Sequence, residues 1–207
     1  MTLSAHEVNH LKKAPAVEGV MPEILDRWSP RAFNEREVSA ADLHTLFEAA
    51  RWAPSSYNEQ PWRFVVGARG SETWKKIFES LMPFNQLWAG HAGVLILGAA
   101  KTKFSHNDAP NRVALFDLGA ASAYLVLQAH ALGLATHQMG GFDGAAARAA
   151  FAIPEEYILG SVIAVGYQGE PSALKNDQMQ ANEVAPRQRK PLSEFVFKAW
   201  DEAADVG

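Results

Sequence analysis

The stretch 119–127, Gly-Ala-Ala-Ser-Ala-Tyr-Leu-Val-Leu, is apolar on nearly every side of a helix at 3.6 residues per turn. A helix without a polar face must lie at the centre of a domain or in a subunit interface. The flanking pattern predicts that it runs from about 109 to 132 and is closed by Gly133. The 207 residues are enough for one ordinary domain with a core around such a helix.

Other elements follow from periodicity and punctuation. Val94-Leu-Ile-Leu97 and 158–165 are continuous apolar runs, as in strands covered on both faces. Trp62-Arg-Phe-Val-Val66 reads as a strand closed by Gly67, and 135–138 as a short strand entering Gly140-Gly141. Ser39-Ala-Ala-Asp42 resembles a capping box ahead of Leu43, Leu46, Phe47 and Ala50, a helix ending by Pro54. Ser71 caps a helix with Trp74, Ile77, Phe78 and Leu81 on one face, and Asp143 caps an alanine-rich helix. Pro22 opens a short helix ending near Trp28-Ser29-Pro30. Residues 1–21 read as a partly helical arm, and the chain from Pro171 onward as polar loop before an apolar tail with Phe195, Val196, Phe197 and Trp200. Alternating helices and buried strands predict an α/β or α+β sandwich.

Composition narrows the chemistry. The chain has no cysteine, which removes disulfides, thiolate metal sites, iron–sulfur clusters and Cys nucleophiles. A formal net charge of −4 argues against a nucleic-acid partner. The first residues hold no apolar signal core, and the run 92–100 is too short to span a bilayer, so a cytoplasmic protein without a membrane partner is expected. The seven histidines lack metal-ligand spacing, and G-x-S-x-G, P-loop and G-x-G-x-x-G patterns are absent. No metal is expected, and no side chain stands out as nucleophile or general acid. An enzyme of this composition would do its chemistry on a borrowed cofactor.

Four segments could hold one. Arg27-Trp28-Ser29-Pro30-Arg31 sets two guanidiniums and a hydroxyl around a break, a clamp for a phosphate or simply two surface arginines beside a turn. The segment 53–62, with Pro54, Ser55, Ser56, Asn58 and Gln60, offers polar groups on a proline-flanked frame that suits a ring with a polar edge, or forms an ordinary turn. His137-Gln138-Met139-Gly140-Gly141-Phe142-Asp143 would let a flat ligand approach the backbone, or merely connect strand to helix. Arg187-Gln188-Arg189-Lys190 is a solvated patch or closes a pocket over a phosphate.

Taken in order, these segments resemble the nitroreductase family of flavoproteins, over about residues 22–197. The most specific pieces are R-W-S-P-R-A-F at 27–33 and A-P-S-S-Y-N-E-Q-P-W at 53–62, supported by the apolar helix, the H-Q-M-G-G-F-D turn and R-Q-R-K-P-L. The resemblance implies a three-layer α+β sandwich, a central mixed sheet flanked by helices, in an intertwined homodimer with FMN at the interface. Residues 1–21 would be an N-terminal arm and 22–207 the FMN-binding domain, its C-terminal tail docking on the partner.

By the same resemblance, Arg27, Trp28, Ser29 and Arg31 would hold the phosphate end of FMN, joined by Arg187 and Arg189. Pro54, Ser55, Ser56 and Asn58 would reach the flavin from the other subunit, with Gln60 nearby. Gln138, Met139, Gly140 and Gly141 would lie along the isoalloxazine, and Asn85 against its pyrimidine edge. The implied reaction is two-step: NADH or NADPH delivers hydride to flavin N5, and an electron-poor acceptor such as a nitroaromatic, quinone or enone is then reduced. Dehalogenation, flavin destruction, aldehyde reduction or non-catalytic FMN binding are the alternatives on the same fold. The stretch 83–108 is short for the family, so substrate preference does not transfer; Phe84, Trp88, Phe104 and Phe142 are candidates to line the pocket or pack the core.

Overall fold

The computed structural model describes residues 3–206. Its helices are α1 (Ala5–Leu11), α2 (Pro22–Asp26), α3 (Ala40–Arg51), α4 (Glu72–Ser80), α5 (Pro83–Ala89), α6 (Ala114–Ala131), α7 (Gly144–Phe151) and α8 (Asp177–Val184). Its strands are β1 (Trp62–Ala68), β2 (Val94–Lys101), β3 (Ala135–Met139), β4 (Tyr157–Gly166), β5 (Phe197–Ala199) and β6 (Glu202–Ala203). Ser39, Ser71 and Asp143 accept the N-terminal N–H bonds of α3, α4 and α7, as their positions in sequence imply.

A four-stranded sheet in the order β1-β2-β4-β3 forms the middle layer. Residues alternate across it because successive side chains of a strand point to opposite faces. Leu95, Leu97, Val162, Ala164 and Met139 face α4, α5 and α7, in a cluster holding Ile77, Trp88 and Ala147. Val94, Ile96, Ile163 and Val165 face α3 and α6, against Leu46, Ala50, Ala121, Leu125 and Ala129. The result is the expected α+β three-layer sandwich, and both covered strands read as unbroken apolar runs for this reason.

The sheet corrects one expectation. It is antiparallel at every pairing, not mixed. The crossover through α6 would make β2 and β3 parallel neighbours, but β4 inserts between them and runs opposite to both.

Two boundaries also move. Helix α6 begins at Ala114, because 103–113 is taken up by a turn in which Lys103 bridges Pro110 and Asn111 donates to Thr102. The region after Pro171 is not all loop. Asn176 caps α8 through the N–H of Met179 at 2.9 Å, and Met179 and Glu183 bury one face of that helix.

Helix α6 is only half buried by its own chain. Ala121, Leu125 and Ala129 are sealed against the sheet, while Phe116 is 77% exposed and Leu115 and Tyr124 also face outward. Nearby, Trp52 and Tyr57 are exposed at 73% and 82%. The C-terminal β5–β6 hairpin likewise leaves Trp200 94% exposed. No described helix is long and apolar enough to cross a membrane.

Helix α4 starts directly over β1. A Cβ on Gly67 would stand 2.3 Å from the backbone N of Trp74 and 2.5 Å from its Cα, atoms that a side-chain rotation cannot move aside. Gly67→Ala should therefore cost about 3 kcal/mol or prevent folding, read as a lowered urea midpoint.

Candidate functional site

The break after α2 is fastened from three directions. From α8, the fully buried Glu183 carboxylate accepts the backbone N–H of Arg31 at 2.9 and 3.1 Å and that of Ala32 at 2.9 Å. From the segment after α8, Arg187 donates to the carbonyls of Arg27, at 2.8 Å, and Leu25. From β3, His137 Nδ1 lies 3.0 Å from the Pro30 carbonyl, which can only accept, so Nδ1 carries the proton. The ring of His137 also packs on Trp88 at 4.5 Å.

These ties converge cations. Lys12, Arg27, Arg31, Arg187 and Arg189 line a cleft of about 260 Å³ together with Trp28, Ser29, Asn182 and Glu183. Glu183 is the only carboxylate in that lining, and its oxygens are occupied by backbone N–H groups. Burial, and then Arg187 and Arg189, push the Arg27 pKa down. Burial and neighbouring Arg189 do the same to Arg187. Burial raises the Glu183 pKa against the pull of its N–H donors and of Arg31 and Lys12. Buried Nε atoms of Arg31 and Arg187 have no hydrogen-bond partner. Crowded guanidiniums with unused donors and no free counter-charge suit a polyvalent anion, since Arg matches phosphate oxygens with directed, charge-assisted bonds.

The Gly140-Gly141 turn borders this region through β3. Asn85, in the first turn of α5, donates from Nδ2 to the Gly141 carbonyl at 2.9 Å, and the Met82 N–H reaches the same oxygen at 3.0 Å. A Cβ on Gly141 would stand 2.8 Å from Asn85 Nδ2, so glycine is what permits the amide to lie against the turn. Gly140 has open space where a Cβ would project. Gln138 is exposed and Met139 is buried in the core, so Met139 offers the site its backbone alone. Phe84 is half exposed with the Arg31 guanidinium 5.9 Å from its ring centroid. Trp88 is a core residue and Phe142 packs against the same core.

The 53–62 segment lies elsewhere. The Ser56 N–H donates to Asp117, in the first turn of α6, at 3.2 Å. Ser55 Oγ accepts from the Gln60 N–H at 3.0 Å, and the Gln60 amide donates to the Asn58 carbonyl and side chain. Tyr57, Asn58 and Gln60 have φ of 52°, 55° and 50°, a left-handed backbone that strains residues other than glycine. Pro54, Tyr57 and Asn58 are exposed. Tyr57 meets Phe104 and His106 edge-on or tilted, each with centroids 5.6 Å away.

Clamp and loop therefore sit at opposite ends of α6. Arg27, Trp28 and Pro30 share a cavity of about 120 Å³ with His130 and Gly133, whereas Ser56 is held at Asp117. At about 1.5 Å per residue, Asp117 and His130 are roughly 20 Å apart along the axis. One chain brings together Arg27, Trp28, Ser29, Arg31, Arg187 and Arg189, and next to them the 138–141 turn with Asn85. It does not bring Pro54, Ser55, Ser56, Asn58 or Gln60 to that group.

Sequence reasoning passed over Lys12, Glu183 and Asp117. Nothing local marks Lys12, which acts across the fold. Glu183 carried one signal, its place four residues after Met179 on a face headed by an Asn cap.

The sequence profile of the nitroreductase family matches residues 24–85 and 75–167. An Archaeoglobus fulgidus protein named "Putative NADH dehydrogenase/NAD(P)H nitroreductase" is 32% identical over 155 residues, 73% of this chain and 86% of its own. A crystal structure described as "the oxidoreductase containing FMN" superposes with a TM-score of 0.82 at 36% identity, covering 89% of this chain and 94% of that one. An FMN-dependent nitroreductase from Clostridium difficile R20291 gives a TM-score of 0.60 at 25% identity, covering 73% and 89% of the two chains. With its profile match spanning most of the chain and its fold shared with FMN-containing oxidoreductases, this protein belongs to the nitroreductase family.

Proposed function

We propose that the chain is an FMN-dependent oxidoreductase that draws electrons from NADH or NADPH and passes them to a small electron-poor acceptor. The observation that carries this reading is the cleft lined by Lys12, Arg27, Arg31, Arg187 and Arg189, whose one acid, Glu183, has its oxygens engaged by backbone N–H groups. Arg27, Ser29, Arg31 and Arg189 would hold the phosphate of FMN, and Trp28 would wall the same cleft. Arg187 spends two nitrogens on the Leu25 and Arg27 carbonyls, so it sets the clamp's shape and adds its charge to the cleft. Gln138, Met139, Gly140 and Gly141 would border the ring, Gly140 leaving room for close approach, with Asn85 at the ring's polar edge.

The chemistry such a cofactor supplies is two-electron transfer between a nicotinamide donor and an acceptor that use the same face in turn. The protein's part is positioning and electrostatics. Cations fixed around the cleft favour the anionic cofactor without reorganising, and the neutral, largely shielded His137 holds the Pro30 carbonyl rather than moving protons.

A homodimer belongs to the proposal. Pro54, Ser55, Ser56, Asn58 and Gln60 lie at the far end of α6 from their own chain's clamp, so they serve a cofactor only if they come from the partner. The unpartnered faces carrying Trp52, Tyr57, Phe116 and Tyr124 supply the apolar surface such an interface needs.

Purified protein should carry flavin absorbance that anaerobic NADPH or NADH bleaches and a nitroaromatic or quinone restores. A flavin that neither donor bleaches would leave a binding protein rather than an enzyme. Arg27→Ala should weaken FMN binding by about 1.5–3 kcal/mol in a fluorescence-quenching titration, through loss of a charge-assisted contact. Phe116→Glu should turn the dimer into monomer in sedimentation and release FMN with it.

His137 gives a pH signature. Burial, with Arg31 beside it, holds its pKa down at about 4 against an ordinary 6.5. The unfolded chain therefore takes up this proton first on acidification, so the contribution is complete above pH 6.5 and is lost as pH falls towards 4. His137→Asn, which keeps a donor for Pro30 but cannot titrate, should show a shallower fall of Tm across that window than the parent.

A further inference from the structure

The cationic cleft receives one cation from outside the clamp segments. Lys12 follows α1, an element far from them in sequence, yet it is 5% exposed and lines the same cleft as Arg27, Ser29 and Arg31. Its ammonium donates to the carbonyls of Asn182, at 3.1 Å, and Ala185, at 2.5 Å, where α8 ends. It also lies over the Trp28 ring, 4.8 Å from the centroid.

The arm is seated there by several independent contacts. Val8 is fully buried, Asn9 accepts from Trp28 Nε1 at 2.8 Å, and the Ala5 N–H donates to Glu170 at 2.8 Å. Ser4 and Glu7 close a reciprocal cap on α1. The lysine is thus delivered to a fixed place.

An ammonium has three N–H donors, and the two carbonyls use two of them. The acid in the same cleft, Glu183, has its oxygens engaged by the backbone N–H groups of Arg31 and Ala32. Carrying a buried, incompletely paired charge into a cleft already crowded with guanidiniums is unfavourable unless an anion completes the set. Burial and the nearby Arg187 and Arg31 hold the Lys12 pKa down, as such crowding requires.

We infer that Lys12 is a phosphate-binding residue of the cofactor site, its third N–H directed at the ligand, and that the N-terminal arm exists to deliver it. The inference rests on the cleft being the phosphate site proposed above.

The test compares FMN with riboflavin, which differs only by the phosphate, in fluorescence-quenching titrations of the full-length protein. The parent should bind FMN far more tightly than riboflavin; equal affinity would remove the phosphate site itself and this inference with it. Lys12→Met, which keeps the buried stem, should lose about tenfold or more in FMN affinity while riboflavin affinity stays unchanged. Lys12→Arg should recover most of the loss. An unchanged FMN affinity in Lys12→Met, or an equal loss for both ligands, would overturn the assignment, the second outcome marking Lys12 as a structural brace of α8 alone. Should Lys12→Met fail to fold, Asn9→Ala, which releases Trp28 from the arm, provides the second arm of the test. It should weaken FMN binding selectively, and an equal effect on riboflavin would again overturn the inference.

Discussion

A carboxylate without exposed surface, that of Glu183, takes the backbone N–H groups of Arg31 and Ala32, and the cationic cleft is organised around that fastening. An unpaired carboxylate at such depth would cost several kcal/mol, so these N–H bonds are obligatory for the fold as well as for the site. They join the segment after α2 to α8, and α8 in turn leads to Arg187, which grips the Leu25 and Arg27 carbonyls. Segments about 150 residues apart in sequence become one wall. The same knot explains why so many positive charges tolerate proximity. Lys12, Arg31, Arg187 and Arg189 are held by backbone or aromatic contacts and Arg27 by the Ser29 hydroxyl, none of which neutralises the charge.

The sheet and α6 set the larger geometry. Insertion of β4 between β2 and β3 places β3 at the sheet edge, with His137 facing Trp88 on one side and reaching the Pro30 carbonyl. The 138–141 turn thereby leaves the sheet next to the clamp. Helix α6, sealed on one face by the sheet, separates that region from the strained 53–62 loop by most of its length. Strain at Tyr57, Asn58 and Gln60 is retained because the loop is cross-tied by Ser55, Asn58 and Gln60 and pinned at Asp117. A loop so held, at the far end of α6 from its own clamp, suits the homodimer proposed above.

Much of this was legible along the chain. Unbroken apolar runs marked β2 and β4 because both of their faces are covered, and Ser39, Ser71 and Asp143 marked helix starts because they accept local N–H bonds. Arg27, Ser29 and Arg31 stood out because a break after a short helix with two arginines is a local pattern. The all-antiparallel pairing was not legible, since the choice of neighbour for β4 is made by packing across the whole sheet. Helix α8 was missed because its polar surface hides the single buried face formed by Met179 and Glu183.

The sequence by itself determined a sandwich of helices and covered strands, the helix caps at Ser39, Ser71 and Asp143, and, through its ordered motifs, the family. Local hydrogen bonding and periodicity act over a few residues, so they are written in order along the chain. Only the tertiary structure decided which cations share one cleft, that Glu183 and Lys12 belong to it, and that the clamp and the 53–62 loop cannot meet within one subunit. Those outcomes depend on distances between segments remote in sequence, which the packing of α1 and α8 against the clamp and the length of α6 set.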